Sequence, residues 1–376
     1  MSVLFTHEPV VNKSRSITAN RLIVHGASMD DACTALEAVA DDWPAKNTII
    51  LSLKGFPLDA TLAEWGLTEN ILIDLPASFL ARPEGVQLAR KLAERRTGLC
   101  ISGISAGTAL PDGIPSRFGL IDARVSPTAF SKAGLPLAVG LDDVASFKLA
   151  MDAGFSGATG WFFLHNKPQG KQPEPASANI LHILRLIMDE ADISEIEQAL
   201  KRDISVSYSL LRYVNSAALG LSVEIQSFRQ AVTMLGYKQL RKWLSLMLIK
   251  SSKNPESQAL MQAAITRGRL MEVLGQEYFD KRECDNLFIA GAFSLLDLLL
   301  ETELAALLDN MHLPDPIADA LLRREGAYAP FLNLAIASEN DPAQIANHAL
   351  ELGVTSKALN RAVLTALAYA EEMRAV

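Results

Sequence analysis

Over the first 165 residues, short uninterrupted apolar runs alternate with stretches whose apolar positions recur every three or four residues. The runs are VLFTHEPVV (3–11), RLIVH (21–25), TIILSL (48–53), ILIDL (71–75), GLCIS (98–102), GLIDA (119–123), PLAV (136–139) and GWFFL (160–164). Between them fall amphipathic stretches at Met29–Trp43, Pro83–Arg96 and Val144–Gly154. Continuous Ile/Leu/Val runs read as strands buried on both faces, and repeated β–α alternation reads as a parallel sheet. Eight β–α units would close a barrel, yet this region is far shorter than the roughly 250 residues such barrels use. A trimmed or partly open (β/α) barrel is the expectation.

The pattern breaks at HNKPQGKQPEPASAN, 165–179, where Pro168, Pro173 and Pro175 fall close together. Proline removes backbone donors and holds its predecessor extended, so neither helix nor strand runs through this segment. Beyond it the apolar spacing is helical throughout. Ser227 with Gln230 three places on is a capping-box signature, and Leu235-Gly236 marks a helix end. Leu240, Leu244, Met247 and Leu248 share one face of a following helix. Further helices are predicted over 255–280, 284–309, 314–324 and 341–376, and no strand after 180. The chain is thus read as an α/β barrel over 1–167, a Pro-rich linker over 168–178 and an all-α domain over 179–376.

Composition narrows the chemistry. The 376 residues carry a net charge of −8 and 49% hydrophobic residues, which supports a large core and argues against bulk nucleic-acid or anionic-membrane binding. Three scattered cysteines (33, 100 and 284) offer no disulfide framework and no Cys-x-x-Cys pair. The six histidines are equally dispersed. The N-terminus does not read as a signal peptide, and the longest apolar stretch, Leu287 to Leu300, is too short to span a bilayer. A cytoplasmic protein is expected.

Few catalytic constellations remain. The pairs Asp30-Asp31, Asp41-Asp42 and Asp142-Asp143 sit where helices begin or end, as capping carboxylates do; only Asp142-Asp143 follows a strand at a barrel's reactive end. The glycines 154, 157 and 160 precede a strand, so they are not a dinucleotide fingerprint. His25 and His165 near strand ends make a poor metal site without a third ligand. Between Glu224 and Glu256 lies a stretch with bases and no acid, containing Arg229, Lys238, Arg241 and Lys242, an attractor for an acidic partner or a phosphate.

Residues 194–249 resemble the HDOD domain (HD-related output domain) of bacterial signalling proteins. The resemblance is carried by Asp203, Leu210-Leu211-Arg212, Val214-Asn215-Ser216-Ala217, Gly220, Ile225, Ser227, Gln230-Ala231-Val232 and Leu235-Gly236. It implies a helical interaction module. In the wider HD superfamily a His-Asp pair holds metal; here that pair falls on Ser294-Leu295, with Asp297 one turn away and the upstream His position near Arg267. The first half resembles a degenerate EAL domain, the cyclic di-GMP phosphodiesterase barrel, through ILIDLP (71–76), GLIDA, LPLAVGLDD (135–143) and AGFSGATGWFFLHNKP (153–168). In that resemblance the signature Glu falls on Arg21, a paired Asp-Asp on Ser102-Gly103 and a Glu on Val139, with Asp74 and Asp142 as the remaining acids.

Two-metal phosphodiester hydrolysis needs several carboxylates around two ions. The expectation is therefore that the chain is not an enzyme, holds no metal or other cofactor, and is a signalling or scaffold protein meeting other signalling proteins through Arg229, Lys238, Arg241 and Lys242. Self-association as a homodimer is compatible with this. Cyclic dinucleotide is not the expected ligand. The alternative is a catalytically inactive cyclic di-GMP receptor whose barrel acts on the helical domain.

Overall fold

The computed structural model describes every residue except 1–2, 66–68, 131, 167, 169, 171, 173, 216–224, 226, 310 and 376. The first half closes an eight-stranded barrel in the order β1 (Leu4–Asn12), β2 (Ile17–His25), β3 (Thr48–Lys54), β4 (Ile71–Pro76), β5 (Gly98–Ser102), β6 (Phe118–Asp122), β7 (Leu135–Val139) and β8 (Gly157–Thr159). β1 runs antiparallel to both β2 and β8, while all other neighbours are parallel. The barrel is trimmed, as expected, and fully closed. It is not a chain of eight β–α units: β1 and β2 form a hairpin, turned at Asn12–Ser16 with Arg15 at a positive φ.

Its helices are few. α1 (Met29–Glu37), α2 (Ala77–Leu80), α3 (Pro83–Glu94) and α4 (Val144–Asp152) follow β2, β4 and β7. Among the described residues, loops alone link β5, β6 and β7. Ser28 caps α1, which leaves Asp30 and Asp31 in its first turn, where the helix dipole favours acids. Asp143 caps α4 reciprocally with Ser146. The eighth run departs from its reading. β8 is Gly157–Thr159, and the aromatics after it enter a 3₁₀ turn, Phe162–His165, because Gly160 at φ 112° turns the chain away.

The second half is helical among the described residues: α5 (Pro175–Met188), α6 (Ile193–Lys201), α7 (Ile204–Val214), α8 (Phe228–Lys250), α9 (Ser257–Gly275), α10 (Lys281–Phe293), α11 (Leu296–Leu300), α12 (Leu304–Asp309), α13 (Asp315–Leu322), α14 (Ala329–Asn340), α15 (Pro342–Leu352) and α16 (Ser356–Ala375). Ser227 accepts from the Gln230 amide at the start of α8, and Gly236 (φ 68°, ψ 164°) breaks that helix where an end was expected. The single helix expected over 284–309 is three, divided at Ser294-Leu295 and at Glu301, which takes a left-handed conformation. That over 341–376 is two, divided by Gly353 (φ 69°). Ser216, Ala217 and Gly220 lie outside the described residues, but Asn215 holds both the amide and carbonyl of Ile225 with its carboxamide, at 2.7 and 2.8 Å.

α9 is buried nearly all round, crossing α10 and α16 at the centre of the domain. A Cβ on Gly291 would stand 2.7 Å from the Gly268 Cα, so only glycine permits the α9–α10 approach. The halves are not tethered loosely. α14, α15 and α16 pack on β1, and α9 on β2 and the 162–165 turn, within one continuous apolar core. The Asn360 carboxamide accepts from the Phe5 amide and donates to the Val3 carbonyl, both at 3.0 Å, completing β1 as a neighbouring strand would.

Candidate functional site

Side chains alternate along a strand, so every second residue enters the barrel. Val10, Ala19, Ile50, Leu72, Cys100, Leu120 and Leu137 fill the interior as a sealed apolar layer, separate from the main core. Two residues further along each of these strands, toward the C-terminal mouth of the parallel strands, stand Glu8, Arg21, Ser52, Asp74, Ser102, Asp122 and Val139. Arg21, Asp74, Ser102 and Val139, singled out from the sequence, thus share one ring at the mouth. Gly103 and Asp142 lie outside it, exposed on the loops after β5 and β7.

The ring is organised around Arg21. Its Nε donates to Ser52 Oγ at 2.8 Å and its Nη2 to Asp74 Oδ2 at 3.1 Å, while Glu8 lies 3.5 Å from Nη1. Ser52 also donates to Asp74, at 2.6 Å. Burial works against the guanidinium charge, but Asp74 and Glu8 outweigh it and hold the Arg21 pKa above its ordinary value. Burial, then the Asp74 charge, pushes the Cys100 thiol well up, so it stays a protonated filler. Asp122 is held by Arg124 through two side-chain bonds of 3.0 and 2.7 Å. The ring positions Glu8, Ser52 and Asp122 were missed; a strict period of two from the apolar layer would have found them. His25 bonds Thr6, and His165 lies against the Asp142 carbonyl, so the two histidines are engaged separately.

A second buried cation stands in the helical half. Arg267 on α9 forms a two-pronged pair with Glu339 on α14, at 2.5 and 2.9 Å, and donates to Ser294 Oγ at 3.0 Å. Arg267 and Ser294, paired only by resemblance in the sequence, are in contact here. Leu295 is buried; burial raises the pKa of Asp297, against the pull of Arg267. The node reaches the barrel: Trp161 Nε1 donates to the carbonyls of both His7 and Glu339, at 3.1 and 3.0 Å. His7 is wholly buried edge-on to Trp161, and desolvation lowers its pKa to about 4.

The basic stretch is not a basic surface. Arg229 pairs with Glu197 at 3.3 Å, Lys238 with Asp285 at 2.8 Å and Lys242 with Glu272 at 2.7 Å, acids supplied by α6, α10 and α9. Of the four, only Arg241 is in no ion pair among the described residues.

The donor set does not fit a two-ion centre. Arg21 sits between Glu8 and Asp74, Asp122 is occupied by Arg124, and among the described residues no three His, Cys, Asp or Glu are grouped to hold a metal.

With this geometry in place, residues 175–300 match the HDOD domain family. The helical half therefore carries an HDOD domain behind a closed barrel, the two-part arrangement expected from the sequence. The chain is 31% identical over 234 residues to the cyclic di-GMP phosphodiesterase CdgJ of Vibrio cholerae, covering 60% of this chain and 53% of that protein. It is 27% identical over 195 residues to the uncharacterized protein YuxH of Bacillus subtilis, covering 50% of this chain and 47% of that one. The chain spans about half the length of these curated relatives. Among solved structures, Klebsiella pneumoniae BlrP1 in a calcium and cyclic di-GMP complex overlaps 43% of this chain and 55% of its own, at 14% identity and a TM-score of 0.34. The Pseudomonas aeruginosa FimX EAL domain bound to cyclic di-GMP overlaps 44% of this chain and 90% of its own, at 10% identity and a TM-score of 0.30.

The match to CdgJ, a protein named as an enzyme, corrects the expectation that this chain is not one. That expectation was drawn only from acids missing at motif positions. No helix among the described residues is long and apolar enough to cross a membrane.

Proposed function

We propose that the chain is a cytoplasmic cyclic di-GMP signalling protein of the EAL-plus-HDOD kind, whose barrel mouth meets the cyclic dinucleotide and whose helical domain meets other signalling proteins. The observation that carries this reading is the HDOD domain at 175–300 sharing one core with a closed barrel. The name of the Vibrio cholerae relative supports the nucleotide. A ligand at the mouth that altered the Glu8–Arg21–Asp74 ring would act on β1 and β2, the strands on which the helical domain packs. The barrel is taken as 1–167; the helical domain is taken from Pro175 and not from 179, because α5 begins there, inside the stretch expected as a linker over 168–178.

The test is calorimetry of the purified chain with cyclic di-GMP, together with chromatography of the linear product in Mg²⁺ or Mn²⁺. Saturable binding or product formation, weakened by Arg21→Ala, is expected. Neither heat nor product from the wild-type chain overturns the reading.

A further inference from the structure

A cavity of about 430 Å³ opens on the helical half, on a side of α8 that the barrel does not cover. Its walls come from the end of α5 (Ile187, Met188), Glu190 beyond it, the second half of α8 (Tyr237, Lys238, Arg241), Arg282 at the start of α10, and His312 and Pro314 ahead of α13. Four basic side chains therefore face one space from three separate segments. They differ in how they are balanced. Lys238 is paired with Asp285 at 2.8 Å and His312 with Asp189 at 3.0 Å. Arg241 and Arg282 are in no ion pair among the described residues.

Arg241 is the anomaly. Its Nε is buried with no acceptor, and the nearest bonded atom of its side chain is the Met188 sulfur, 3.9 Å from Nη1. A guanidinium donates five N–H groups in a planar fork suited to two oxygens at once, and a thioether is a weak substitute. Leaving such a cation half-buried beside a second arginine is unfavourable unless an anion is there to meet it. Apolar side chains complete the lining: Ile187, Met188 and Pro314, with Tyr237 fixed by its hydroxyl donating to the Ala191 carbonyl at 2.7 Å. Among the described residues Glu190 is the one acid that lines the cavity; Asp189, Asp280 and Asp285 around it are engaged with His312, the α10 backbone amides and Lys238. The volume is that of a small-molecule site.

We infer that this cavity binds a small organic phosphate of about nucleoside-monophosphate size, its phosphoryl oxygens on Arg241 and Arg282 and its planar part against Tyr237 and Met188. Phosphate is favoured over a partner's carboxylate because two guanidinium groups, in no ion pair among the described residues, face one space with apolar side chains, matching one dianionic group attached to a flat body.

Calorimetric titration of the full chain with AMP and with GMP tests this, with adenosine, guanosine and an oligo-glutamate peptide as controls. The monophosphates are expected to bind saturably and the nucleosides not to. Arg241→Gln weakens binding by at least about tenfold, since a charge-assisted bond is lost. Arg282→Gln, on the exposed rim, keeps the test valid if the Arg241 variant fails to fold. Arg229→Gln, at a paired site remote from the cavity, leaves affinity unchanged. Absence of monophosphate binding, equal binding by both folded arginine variants, or binding of the peptide without the monophosphates overturns the proposal.

Discussion

The two halves contain the same small arrangement built on unrelated scaffolds. In the barrel, Arg21 is clamped by the Asp74 carboxylate and the Ser52 hydroxyl; in the helical half, Arg267 is clamped by the Glu339 carboxylate and the Ser294 hydroxyl. In both, the arginine stands where the sequence resemblance placed a metal ligand. A guanidinium supplies fixed positive charge to carboxylates already buried there, and it needs no coordination sphere. The halves are alike in burial and differ in what surrounds the pair. Glu339 belongs to a sealed contact between the halves, whereas Arg21 sits at a mouth and shares its charge between two carboxylates. The same chemistry is a rivet between the halves in one place and a buried clamp beneath the barrel mouth in the other.

The sharpest way to break that comparison is to remove one member of each pair. Arg267→Ala strands Glu339 in the core and is expected to lower stability by about 3–5 kcal/mol. Arg267→Met with Glu339→Leu, which removes both charges, recovers most of that loss; urea denaturation of all three proteins measures it. If the single variant costs no more than the double, the pair is not a rivet.

His7 gives the next largest effect, roughly 3 kcal/mol, and its sign is fixed. Its folded pKa of about 4 lies below the unfolded value of about 6.5. Between these the unfolded chain takes up a proton that the fold refuses, so the contribution is full above about pH 6.5 and is lost as pH falls toward about 4. Denaturation midpoints at pH 7 and pH 4.5 should differ less in His7→Phe than in the wild type. Asn360→Ala, which deprives β1 of two backbone partners, is expected to destabilise by about 2 kcal/mol. Smallest is Asp74→Asn, at about 1–2 kcal/mol, because Glu8 remains beside Arg21. A loss there as large as that of Arg267→Ala would show the mouth to be as rigid as the rivet.

What the sequence revealed, and what it hid, follows from the range of each interaction. Apolar runs located seven of the eight strands, because strand burial is written locally. The eighth misled: Trp161, Phe162 and Phe163 have strand-forming side chains, but their partners are α4, the barrel and the distant Glu339 carbonyl. The helix expected over 284–309 is cut at Leu295, which leaves helical dihedrals at φ −121°, and at the left-handed Glu301. An acid-free stretch around Arg229, Lys238 and Lys242 was legible; the acids that neutralise it arrive from other helices and were not. Arg21 and Asp74 were recognised singly, and their bond needed the register of three strands.

The Asn360 clamp bears on how the molecule is made. Its two bonds join residues 355 and 357 positions apart, so they form only after the chain through Asn360 has left the ribosome. Contacts of such long range are slow to close. Until then the start of β1 lacks two backbone partners, and that edge is exposed to mispairing with another nascent chain. The last helix thus acts as a latch on the first strand. Protease removal of α16 should return the barrel to that unlatched, aggregation-prone condition while leaving every residue of the mouth in place.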